Sequence, residues 1–431
     1  MAQGTGVPDV QRQESNPDSI PSVTLAEAIQ LATRINPAVT QSIGQIRDAR
    51  AAERAAFGAY LPTLGVASSA ARGNTLQGAS AVSGNVALPS STRLLGNTYS
   101  SGISSTVPLY TGGRLGADRT AAAEQRKAAE ASDVAVHYNV ALLTKIAYFE
   151  VLRSAELMVV AQAQVAQARQ GLADAQSRLH AGTTTRSDVL RATVALSNAE
   201  DSLVTAQTEH ASNQYALGRA VGHEGPVDAT KISNLEPTPI ALARDSLLRL
   251  SALTAPSVRS AEASARAADA GIGAAKSQYL PSLLATGGYG WLDQHLPAIP
   301  GASGWMFQVG VSYPLFTGFQ REQTVTLAET QADAARSIAN DTRRQARADA
   351  EQALGNVQLA ANRIMLAQGA VQAAQEDLRV QESRYRAGAS TFLDEVTSQL
   401  ALAQAETALV NARYDYQIAR AELNAIVGRE L

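Results

Sequence analysis

The chain is written twice. Residues 178–222 lie on 384–428 at a constant offset of 206 with no gap, so that Arg178-Leu-His-Ala-Gly182 falls on Arg384-Tyr-Arg-Ala-Gly388. The same offset lays Val107-Pro-Leu-Tyr-Thr-Gly112 on Tyr313-Pro-Leu-Phe-Thr-Gly318. Further upstream the offset is 219, with Pro37 on Pro256 and Tyr60-Leu-Pro62 on Tyr279-Leu-Pro281. The difference between the offsets puts 13 extra residues into the first copy, between Pro62 and Pro108. Self-similarity at a fixed period marks a duplicated structural unit, here about half the chain long.

Proline placement shows what each copy contains. None occurs from Leu109 to Gly225 or from Leu315 to Leu431, two intervals of 117 residues. An interior proline costs a helix about 3 kcal/mol, so these exclusions predict long uninterrupted helices. One break stands out in each, Ala181-Gly-Thr-Thr-Thr185 and Ala387-Gly-Ala-Ser-Thr391. Glycine closes the first helix in the left-handed conformation and Thr caps the next. Each interval is therefore a helical hairpin, over 113–221 and 319–427. The first arm alone, to His180, would reach roughly 100 Å at 1.5 Å per residue. In the second arm Leu393, Val396, Leu400, Ala403 and Val410 follow coiled-coil spacing, interrupted by Thr407.

Ahead of each hairpin the period changes to two. Trp305, Phe307, Val309, Val311, Tyr313 and Leu315 alternate with Met306, Gln308, Gly310, Ser312 and Pro314, which predicts a strand over 304–315. Its counterpart spans 98–109, and preceding strands are expected over 62–72 and 281–292. Helices over 24–59 and 241–278 open the copies, the first with the capping box Thr24-Leu-Ala-Glu27. The division is thus a polar leader over 1–22, a first repeat over 23–222, a linker over 223–240 holding Pro226, Pro237 and Pro239, and a second repeat over 241–431.

Composition narrows the function. A net charge of −3 and no basic run among aromatics argue against a nucleic-acid partner. There are no cysteines, so disulfides and thiolate metal sites are excluded. The five histidines have no ligand spacing, and no catalytic set or cofactor loop is legible, so neither enzyme, cofactor nor metal is expected. No stretch approaches the ~20 apolar residues of a membrane helix, and no signal segment opens the chain. An exported protein of this sequence would have lost its signal. Eight aromatic residues, both tryptophans among them, crowd between Tyr279 and Phe319. Such crowding at strand ends resembles the girdle of a membrane barrel, with Tyr99, Tyr289, Trp291, Trp305, Phe307 and Tyr313 as interface residues. The neighbouring helices are rich in alanine and charge, and offer the strands little apolar cover. Four strands cannot close a barrel, and open edges are not tolerated in lipid. Three chains would supply an even-numbered barrel of 12. A soluble coiled-coil scaffold or tether is the alternative.

Leu25-Ala-Glu-Ala28 with Asn36-Pro37, Tyr60-Leu-Pro62, Val107-Pro-Leu-Tyr-Thr-Gly-Gly113 and the turn from Gly182 to Asp188-Val-Leu190 resemble the TolC-like outer-membrane efflux proteins. The resemblance covers residues 23–428. It implies an α+β membrane protein, a homotrimer whose 12-stranded β-barrel in outer-membrane lipid continues as an α-helical barrel through the periplasm. It implies the exit duct of a tripartite efflux or type I secretion system, working with a periplasmic adaptor (membrane fusion) protein and an inner-membrane transporter. The gate then falls at the hairpin tips, with a constriction acid at Asp394, beside Glu395, and a closing link of Tyr385 with Asp188. The family's gate Arg is replaced here by Ser390 and its second acidic ring by Thr397, so a less charged gate, or one closed by other pairs, is expected. Adaptor contact falls on Ala181, Gly182, Thr183, Ala387, Gly388 and Ala389, flanked by Arg178 and Arg384. Thr185-x-x-Asp188 and Thr391-x-x-Asp394 also match capping boxes, a role compatible with the gate.

Overall fold

A computed structural model describes residues 20–74, 95–232, 235–238, 240, 242–293 and 302–431. The leader expected over 1–22 lies outside them up to residue 19. The chain divides into two compact units, each drawn from both halves of the sequence. One takes Ile46–Ala129 and Ala261–Ala339, the other Met1–Gln45, Glu130–Ser260 and Asn340–Leu431.

The first of these holds an antiparallel sheet. Its strands are β2 (Thr63–Asn74), β3 (Leu95–Tyr110), β5 (Ser282–Asp293) and β6 (Ala302–Ser312), in that spatial order. Thr63 pairs with Thr106, and Ser282 with Ser312. Those partners differ by the two offsets of the duplication, so the hairpins repeat in register. Side chains alternate across a pleated sheet, and here the two faces differ in kind. Val66, Ile103, Tyr289 and Trp305 form one row across it; Leu64, Ser105, Gly287 and Phe307 form the next. Trp305 is 80% exposed, Leu64 76% and Phe307 66%. Tyr99 and Trp291 share this face by register, and Tyr289 and Trp291 meet edge to face at 4.9 Å. The opposite face carries Gly65, Ala67, Gly102, Ser104, Gly288, Gly290 and Gly304. The strand expected to reach 315 ends at Ser312, because Pro314 has no N–H for the ladder. Its counterpart Pro108 is kept inside β3 by a register shift between Pro108 and Tyr110. Tyr313 is therefore exposed beyond the strand, not in it.

Most of the remaining described chain is helical. The hairpins are α3 (Arg114–His180) with α4 (Arg186–Val221), and α7 (Gln320–Arg386) with α8 (Phe392–Val427). The single helices expected over 24–59 and 241–278 are each two: α1 (Leu25–Ile35) and α2 (Pro37–Gly58), then α5 (Arg244–Thr254) and α6 (Pro256–Lys276). Pro37 and Pro256 cause the breaks. A proline ring clashes with a helical preceding residue, and Asn36 (ψ 127°) and Ala255 (ψ 135°) are accordingly extended. Of these helices, α2, α3, α6 and α7 each contribute to both units. Part of the expected linker is structured as well. β1 (Ser22–Val23) pairs in parallel with β4 (Asp228–Ala229), and buried Val227 and Ala229 pack with Tyr148, Val151 and Leu217. Burying these apolar positions outweighs the loop character of the surrounding prolines. Tyr148 donates to the Thr230 carbonyl at 2.6 Å, and Tyr416 donates to the carbonyl of Thr238 while accepting its N–H. Leu393 and Leu400 of the coiled-coil pattern face outward and stay exposed, whereas Ala403 and Val410 are buried.

Candidate functional site at the hairpin tips

Both tips are built by the same local rules. Gly182 and Gly388 take φ of 75° and 74°. That conformation lets Thr183 N–H reach the Arg178 carbonyl at 2.9 Å, and Ala389 N–H the Arg384 carbonyl at 2.8 Å, so each helix end is satisfied. With Ala181 and Ala387, these six residues form the two exposed turns. The next helices then start on capping boxes. Thr185 and Asp188 exchange bonds between hydroxyl, carboxylate and backbone N–H, and so do Thr391 and Asp394.

Both aspartates are thus capping residues. The Thr184 hydroxyl, then that of Thr185, hold the Asp188 carboxyl below its ordinary range. For Asp394 the Thr391 N–H leads, followed by the Thr391 hydroxyl. The copies differ one turn on. Arg191 stands 3.6 Å from Asp188, while the equivalent Thr397 turns its hydroxyl to the Leu393 carbonyl. At Asp394 the nearby Arg384 supplies the positive charge instead, and it too lowers the carboxyl.

The aromatic residue between the tips is held by a pair that the resemblance does not imply. Tyr385 is 9% exposed, and its hydroxyl has no hydrogen-bond partner among the described residues, Asp188 included. Instead the Arg178 guanidinium lies 4.1 Å from the centre of its ring and donates to the Tyr385 carbonyl at 3.0 Å. The ring also meets Phe392 at 5.8 Å, in a cluster with Ala175 and Ala192. Arg178, expected at the adaptor surface, is turned inward and bridges α3 to α7. Its duplicate Arg384 remains exposed over its own turn, 3.5 Å from the Ala389 carbonyl. Ser390 reaches the Gln381 carbonyl at 3.4 Å. Phe392 was not singled out in the sequence, although the duplication marks it: Tyr385 and Phe392 stand where the first copy has Leu179 and Arg186.

Glu395 is half-buried. Burial first, then the nearby Glu382, raise its carboxyl above the usual range; Arg178 opposes them, and Asp174 adds to the rise. A carboxyl raised in the folded tip binds its proton more tightly there than in the unfolded chain. Its protonation should stabilise the tip as pH falls through the raised value, levelling off below the ordinary glutamate range. The lowered Asp188 and Asp394 act oppositely, and their stabilisation is lost as pH falls below the ordinary aspartate range. Mild acid is therefore expected to tighten the tip and stronger acid to loosen it. Tip protease resistance measured against pH checks this. Glu395→Gln should abolish the mild-acid gain, and a gain that survives would clear Glu395 of the role.

Known proteins resemble this chain in sequence and in fold. A model of the outer membrane efflux protein family matches residues 28–223 and 247–429. The solvent efflux pump outer membrane protein SrpC of Pseudomonas putida is 24% identical over 349 residues, 79% of this chain and 73% of SrpC. Two solved structures share the fold. A membrane protein from Pseudomonas aeruginosa is similar at a TM-score of 0.83, with 20% identity over 100% of this chain and 97% of that one. The Campylobacter jejuni CmeC outer membrane channel gives 0.81, with 18% identity over 99% and 94%.

Proposed function

This chain belongs to the outer membrane efflux protein family, and from that membership we propose how it works as an outer-membrane exit duct. Three chains assemble, their twelve strands closing one barrel in lipid and their hairpins continuing it into the periplasm. A periplasmic adaptor engages the tips and an inner-membrane transporter supplies the substrate. The family is one of channels, and the chain conducts without chemistry of its own. One observation carries the assembly: a four-stranded sheet whose apolar face is bare and whose edge strands β2 and β6 each lack a neighbour on one side, among the described residues. Acyl chains would cover that face, and sister strands would satisfy those edges. Exposed Leu190, Val194, Leu393 and Leu400 suit helix packing between sister chains.

The tips are the gate. Opening separates the hairpins, and an adaptor that binds the open state better shifts the population towards it. Three Asp394 carboxylates would ring the passage and favour cations. In a planar bilayer the protein should carry cation-preferring current, and Asp394→Ala should move the reversal potential in a salt gradient towards zero. A potential that stays put removes Asp394 from the pore. Absence of any current from reconstituted oligomer, with the adaptor added and with Arg178→Ala alike, defeats the duct itself.

A further inference from the structure

We infer that the strand edges of neighbouring chains meet in one specific register, Val309 of β6 lying opposite Ala70 of β2 in a second copy; this rests on the trimeric barrel proposed above. The register follows from the duplication. The hairpin β2–β3 and the hairpin β5–β6 carry the same internal pairing once the offsets of 219 and 206 are applied, since Thr63↔Thr106 becomes Ser282↔Ser312. The two hairpins are therefore one object repeated, and the junction between them, β3 against β5, defines the step from one to the next. In that junction Ile103 stands opposite Tyr289. Closing a barrel fixes the total stagger of its strands, and a ring of six like hairpins divides that total evenly when each junction repeats the same step. The step that carries the first hairpin onto the second then carries the second onto the first hairpin of the next chain. Moving Ile103 forward by 206 gives Val309, and moving Tyr289 back by 219 gives Ala70.

The same operation puts Phe307 opposite Arg72 and Val311 opposite Ser68, from Ser101↔Trp291 and Ser105↔Gly287. These pairs belong to the bare apolar face, because Ile103 and Tyr289 do. A slip of one residue would turn the β2 side chains to the other face, and a slip of two would change the stagger of the whole ring. The occupant of each edge is thus the opposite edge of an identical chain.

The chain has no cysteine, so engineered pairs report without background. Directly opposed residues sit about 4.5–5.5 Å apart at Cα, within disulfide reach; residues displaced by two lie about 7–8 Å apart and fall outside it. Within one chain, β2 and β6 are the outer strands of the sheet, with three spacings of about 4.8 Å between them, so no intrachain bond is possible. Oxidation of Val309→Cys/Ala70→Cys in membranes should give covalent dimer and trimer on a non-reducing gel. Val309→Cys with Arg72→Cys, or with Ser68→Cys, should stay at monomer mass. Ile103→Cys/Tyr289→Cys should close within one chain and shows that the chemistry works on this face. Preferential coupling of a displaced pair overturns the register while leaving the barrel standing. If none of the three couples although an amine cross-linker still captures trimer, the seam is wrong. If the amine cross-linker captures no oligomer, the trimeric reading itself has failed.

Discussion

Arg178→Ala is expected to open the tips. The guanidinium ties α3 to α7 there, through the Tyr385 ring and the Tyr385 carbonyl. A partly buried cation–π contact contributes about 1 kcal/mol, and a charged hydrogen bond about 1.5–2 kcal/mol. Their loss is worth about 2.5–3 kcal/mol, or a shift of roughly 60- to 140-fold towards separated hairpins at about 1.4 kcal/mol per decade. Single-channel recording reads this as a rise in open probability without adaptor. Arg178→Lys keeps the charge but not the planar fork and should fall between. Arg384→Ala is the control supplied by the duplication: Arg384 reaches the Ala389 carbonyl of its own turn at 3.5 Å and acts by charge on Asp394, with no bond to the other hairpin among the described residues. It should leave open probability nearly unchanged. Equal effects at the two arginines would contradict the bridge.

Gly218→Ala is expected to cause the largest loss of stability. Within a helix alanine is favoured over glycine by about 1 kcal/mol, so propensity alone predicts a gain. Sterics reverse it. A Cβ at Gly218 would lie 2.1 Å from the Gly225 carbonyl oxygen, which belongs to the backbone and cannot rotate away. That loop is tied down by His223 N–H to the Gly218 carbonyl and Val227 N–H to the Gln214 carbonyl, and Val227 is buried beside Tyr148 and Leu217. Displacing it should cost about 3 kcal/mol or more, the upper range of overpacking. Gly355→Ala is the matched control, with nothing within 4 Å of the added carbon. It should stabilise by up to about 1 kcal/mol. Thermal melting followed by circular dichroism in mild detergent separates the two. A Gly218→Ala melting point at or above that of the parent would show that the loop yields easily.

Much of this architecture was legible because duplication and period are global signals. Two offsets, long proline-free intervals and a switch from helical to alternating spacing survive any local substitution. What stayed hidden depended on contacts between segments distant in sequence. Arg178 and Arg384 occupy equivalent positions and read alike, and only the aromatic pair Tyr385 and Phe392 makes one of them a bridge. The breaks before Pro37 and Pro256 were legible in principle, since proline constrains the residue before it, but the helical pattern on both sides masked them. Burial of Glu395, and the pairing of Ser22–Val23 with Asp228–Ala229, follow from tertiary packing alone.

The most direct test is the mass of the particle extracted from outer membranes in mild detergent, measured by native mass spectrometry. Each chain weighs 45.0 kDa. Three copies in one heat-resistant particle are what bare strands sealed by lipid and by sister edges require. A single 45.0 kDa chain, stable in detergent-free buffer, would mean that those edges need no partner and that the duct does not exist.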